Sequence, residues 1–142
     1  MKFTHRIMLA LAASALFAGG ASAAVNPDAM HLALDSLLVA TTKMAVVNAM
    51  NKNGKPPANN AEAHLGAPET MTTTEISKIV VSDGGVINIY LAPVTGTANG
   101  LVQLVPKVVK DPKGNAVGFV CNSPNIPEIA KVSPSCTYVP RQ

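Results

Sequence analysis

Cys121 and Cys136 are the only cysteines of the chain, with 14 residues between them in the last 22 of 142. A lone pair in an exported protein reads as one disulfide. Redox catalysis favours a close Cys-x-x-Cys with an activated thiolate, and this spacing is far wider. The other reactive side chains are scattered. His5 precedes the expected cleavage point, His31 falls on a predicted helix and His64 in a polar connection, with no surrounding Cys, Asp or Glu set that matches a zinc signature. Asp28 and Asp35 stand seven apart, two turns along one helical face, but no other reactive group accompanies them, so they read as solvated surface. There is no phosphate loop and no nucleophile elbow. These residues predict no catalytic, cofactor-binding or metal site, and the protein is expected not to be an enzyme. The one local basic cluster is Lys107, Lys110 and Lys113, with Asp111 among them. It reads either as a solvated hairpin tip or as a polyanion-binding patch for nucleic-acid phosphates.

The disulfide requires an oxidising compartment, and the N-terminus supplies the route. Lys2, His5 and Arg6 form a basic start, Ile7 to Ala18 an apolar run of 12 residues, and Ala21-Ser22-Ala23 a small-x-small cleavage site. Twelve residues are too few to cross a bilayer, which takes about 20. No other run reads as long enough to span, so no stable membrane span is expected after cleavage. Residues 1–23 are read as a cleavable signal peptide and 24–142 as a single domain, periplasmic or extracellular. Loss of Lys2 and Arg6 lowers the formal net charge from +3 to +1 and weakens the general case for a polyanion partner. Only Tyr90, Phe119 and Tyr138 remain as aromatics, so there is little on which bases or sugars could stack.

The elements that hold these residues follow from periodicity. Asn26-Pro27-Asp28 is a helix start: Asn caps free amides, Pro suits the first helical position and Asp the positive end of the dipole. Met30, Leu34, Leu37, Met44 and Val47 then trace one apolar stripe, predicting a long amphipathic helix that ends at Asn53-Gly54 before Pro56-Pro57. Residues 54–75, without a sustained period, read as a long ordered connection. From Ile76 the period becomes two. Asp83-Gly84-Gly85 turns the chain into Ile87, Ile89 and Leu91, a third strand is expected over about 101–105, and a fourth over about 116–121 after the turn at 111–115. Pro124, Pro127 and Pro134 keep the segment between the cysteines out of a sheet interior. The expected fold is α+β: one long N-terminal helix packed on a four-stranded antiparallel sheet, with a C-terminal disulfide-bounded loop.

This ordered set of features resembles the head domain of a bacterial type IV pilin. The likeness rests on the helix exit from Gly54 to Pro57, the strand from Gly100 to Pro106 and the aromatic-x-Cys of Phe119 to Cys121. It continues with Ile126-Pro127 and Pro134 to Cys136. It covers most of residues 29–140. By that resemblance the disulfide-bounded tail corresponds to the family's D-region, a surface used in subunit packing and adhesion, and residues 54–75 to its αβ-loop. Phe119 stands where many relatives have Trp. Met1 to Val25 departs from the family, lacking the short basic leader ending in Gly and the almost wholly apolar helix that follows it. The resemblance therefore implies a soluble pilin-like structural or binding component associated with type IV pili, type II secretion or cell adhesion. Its expected partners are pilus or secretion-system proteins or a surface ligand, and self-association is allowed. Two alternatives are a DNA-binding pilin-like protein in DNA uptake, through Lys107, Lys110 and Lys113, and a fimbrial subunit proper.

Overall fold

The computed structural model describes residues 24–97, 99–111 and 114–141. The expected signal peptide and Lys113 lie outside the described residues. Asn26 caps helix α1 (Pro27–Leu34), its side-chain oxygen accepting from the Ala29 amide at 3.3 Å. The expected single helix is broken at Asp35-Ser36. Ser36 leaves helical geometry and its hydroxyl accepts from the Val39 amide at 3.3 Å, which starts α2 (Leu37–Asn53) as a separately capped helix. Gly54 ends α2 in the left-handed conformation (φ 67°), its amide donating to the Met50 carbonyl, as the Asn-Gly-x-Pro-Pro run predicted.

The break changes which face is buried. The core receives Met30 and Ala33 from α1 and Val39, Val46 and Ala49 from α2, together with Thr42, whose hydroxyl is satisfied by the Leu38 carbonyl at 2.7 Å. Met30 belongs to the predicted stripe, whereas Leu37 and Met44 are 79 % and 64 % exposed. The buried face thus mixes Met30, Val39 and Val46 with the small residues Ala33 and Ala49. One stretch bears on the expected absence of a later span, Pro27–Asn53, which is broken at Asp35-Ser36 and packs one face into the core. By length and composition alone it is long and apolar enough to cross a membrane, with a mean hydropathy of 1.3 over its best 18 residues.

The connection after α2 contains only turns and a short 3₁₀ segment at Pro68–Thr70. Strands β1 (Ile76–Ser82), β2 (Val86–Leu91), β3 (Leu101–Asp111) and β4 (Gly114–Ser123) form an antiparallel meander with short links, as expected. Two features go beyond the prediction. The β3–β4 hairpin is longer, since β3 continues past its last β2 partner, Leu104, to Asp111. The sheet also has a fifth strand, β5 (Cys136–Tyr138), which follows a short helix α3 (Ile129–Val132) and pairs parallel with β4. The sheet is therefore mixed and five-stranded. Ile79, Val81, Ile87, Ile89, Val102 and Leu104 point from its inner face into the cluster that includes the helix residues.

Candidate binding surfaces

Cys121 stands two residues before the end of β4 and Cys136 opens β5; they sit directly across the parallel ladder with Cα atoms 4.4 Å apart and are joined as a disulfide. Both are buried. The bridged segment is tied down along its length. The Ser123 hydroxyl donates to the Leu101 carbonyl at 2.7 Å and accepts from the Ile126 amide at 3.1 Å, while the Asn125 side-chain oxygen accepts from the Leu101 amide at 2.9 Å. Ile126, Ile129 and Val132 are buried beneath it. The tail thus folds back on the sheet edge as a packed element, and the Val139 amide extends it by donating to the Ser123 carbonyl.

Between this segment and the α1–α2 junction lies a cleft of about 140 Å³ lined by Leu34, Asp35, Lys43, Phe119 and the disulfide. Phe119 is half-buried and packs against the core. On the outer surface of the helices, Leu32, Leu37 and Met44 are exposed. Leu37 and Met44 stand two turns apart on one face of α2 with exposed Ala40 and Thr41 between them. Periodicity found these apolar residues but assigned them to the core; the capped break at Ser36 was the signal that the stripe would not continue in phase.

Of the expected basic cluster, the two described lysines lie on opposite faces of β3. Along β3, Lys107 shares its face with Val105 and Val109, and Lys110 shares the opposite face with Pro106 and Val108, because residues three apart in a strand alternate sides. Both lysines are exposed. His31, on α1, and His64, at a positive φ of 56° in the connection, are exposed as well, as are Asp28 and Asp35. Among the described residues, no three His, Cys, Asp or Glu side chains come together as a metal site.

Sequence reasoning missed the outer face of the sheet. There the Lys78 ammonium lies 4.6 Å from the centre of the Tyr90 ring, and Gln103 donates to the Asn88 side chain at 2.7 Å while Asn88 donates to Ser82 and to the Val80 carbonyl. The pairs Lys78–Tyr90 and Asn88–Gln103 are cross-strand neighbours, which only the register reveals.

Comparison with protein-family models and with curated proteins finds no match for the chain.

Proposed function

We propose that this is a pilin-like protein without catalytic activity, exported through its N-terminal signal. As a structural or binding component outside the cytoplasm, it contacts a pilus, a type II secretion assembly or a surface ligand. The observation that carries this reading is the C-terminal segment, closed by Cys121–Cys136 and laid as β5 along β4 of a sheet whose inner face is covered by the N-terminal helices. That arrangement follows the order of features on which the likeness to pilin heads rests. The apolar row of Leu37 and Met44 supports a contact role, since a soluble domain leaves such residues in water at a cost that a partner would relieve.

Affinity capture of the tagged chain from its own cells tests the reading. Recovery of a pilus or secretion component is expected. Capture of no such component, together with unchanged piliation and secretion on deletion, would sink it. The DNA-uptake alternative is less favoured, because Lys107 and Lys110 sit on opposite faces of the hairpin and do not form one strip for a phosphate backbone.

A further inference from the structure

The sheet has four stretches of strand edge without a strand partner among the described residues, on β1, on β3 beyond Leu104, on β4 before Cys121 and on the three-residue β5, and the first two are blocked. On β1, the edge groups of Ile79 and Val81 are taken by Asn60. Its side-chain nitrogen donates to the Ile79 carbonyl at 3.0 Å, and its oxygen accepts from the Val81 amide at 2.6 Å, so one side chain stands in for a neighbouring strand. On β3 beyond Leu104, the residues whose backbone groups point away from β4 are Pro106, Val108 and Lys110. Pro106 has no amide to offer and Lys110 brings a charge, two devices that keep an edge from pairing.

The edge of β4 has neither. The Ser123 carbonyl accepts from Val139 on the β5 side, and the β3–β4 register runs without a shift from Asn122 to Gly114. Alternation therefore turns the amides and carbonyls of Asn115, Val117 and Phe119 outward as well. β5 covers β4 only from Cys121 to Ser123. From Ala116 to Val120 the strand holds no proline and no charged residue. Val120 is 43 % exposed on one face of this edge, and the cleft beside Phe119 opens on the other.

We propose that the β4 edge is a docking site for an extended segment of another protein, added as a strand beside Asn115, Val117 and Phe119. The partner segment alternates apolar residues and carries carboxylates at its flanks. Charge selects this occupant. Lys107 and Lys110 lie on the hairpin and Lys43 lines the cleft, against Asp35 in the cleft and Asp111 near the turn. These lysines outnumber the aspartates, which favours an acidic segment over a basic one. Main-chain hydrogen bonds to three edge residues supply the attachment, and the cleft takes a side chain of the added strand. Such docking is one way of meeting the contact role proposed above and rests on that reading for the partner's being another protein. The experiment below tests the edge itself, and the capture experiment tests the role.

Hydrogen exchange of the chain purified from its host, followed residue by residue with and without synthetic peptides, decides the matter. The probes are a Val-Thr alternating peptide flanked by Glu, the same peptide flanked by Lys, and the Glu-flanked peptide with its alternate backbone amides N-methylated. The expected result is slower exchange at Val117 and Phe119 with the Glu-flanked peptide. Binding should be weaker by about tenfold or more for the N-methylated form, which loses several main-chain bonds, with the Lys-flanked form also weaker. Val117→Pro should abolish the protection, because the amide it removes points outward and not toward β3. The N-methylated peptide makes the same test on the unaltered protein should that variant not fold. Protection absent at both residues, equal binding of the N-methylated peptide, or equal binding of the Lys-flanked peptide would overturn the proposal. So would protection that rises with protein concentration alone alongside a dimer in sedimentation.

Discussion

At the scale of single residues, the fold depends on positions whose importance comes from what they touch across the molecule. Asn60 lies in a segment that reads in sequence only as polar connection, yet it is buried and bonds the Gly66 and Ile79 carbonyls and the Val81 amide. Asn60→Ala leaves these buried groups unpaired and is expected to destabilise by about 2–3 kcal/mol in denaturant unfolding. Gly84 and Gly85 make a matched pair. Both hold positive φ (79° and 72°), so an alanine at either is strained by about 1 kcal/mol or more. A Cβ at Gly84 meets open space, but one at Gly85 would come within 3.1 Å of Val46 and 3.2 Å of Pro106. Gly85→Ala should therefore lower the unfolding midpoint clearly more than Gly84→Ala. The sequence announced a turn at these glycines. It carried no sign that the second is the place where helix, connection and hairpin meet.

At the scale of elements, local chemistry was legible where it is self-contained. The Asn26 cap, the Gly54 exit and the β1–β2 hairpin each rest on neighbouring residues and stand where the sequence placed them. The helix break rests on the local Ser36 cap, which apolar spacing does not report, whereas the length of the β3–β4 hairpin and β5 depend on strand pairing. β5 has three residues and forms because the disulfide and the Ser123 bonds hold it against β4. Ser36→Ala removes the α2 cap and should cost about 1 kcal/mol, read by thermal or denaturant unfolding. Replacing both cysteines by serine should cost about 3 kcal/mol through the freed loop. Faster hydrogen exchange is expected to be concentrated in residues 122–139, and exchange rising equally over α2 would contradict the view of β5 as a locally held element.

At the scale of the whole molecule, a two-part helix shields one face of a mixed sheet, and a bridged tail closes one end of that sheet. The disulfide pairing and the helix-on-sheet plan were readable because cysteine count and period are global properties of a sequence. The candidate surfaces were not. The exposed row at Leu37 and Met44 required knowing where α2 restarts, and the separation of Lys107 from Lys110 required the strand phase. The proposed contact with an assembly outside the cytoplasm is tested by lysine-directed cross-linking in the producing cells followed by mass spectrometry. Cross-links from Lys43, beside the exposed face of α2, to a pilus or type II secretion component are the predicted result, diminished in a Leu37→Glu, Met44→Glu double variant that keeps its unfolding midpoint. Recovery of the chain without any such cross-link from membrane, periplasmic and sheared-filament fractions alike would contradict it.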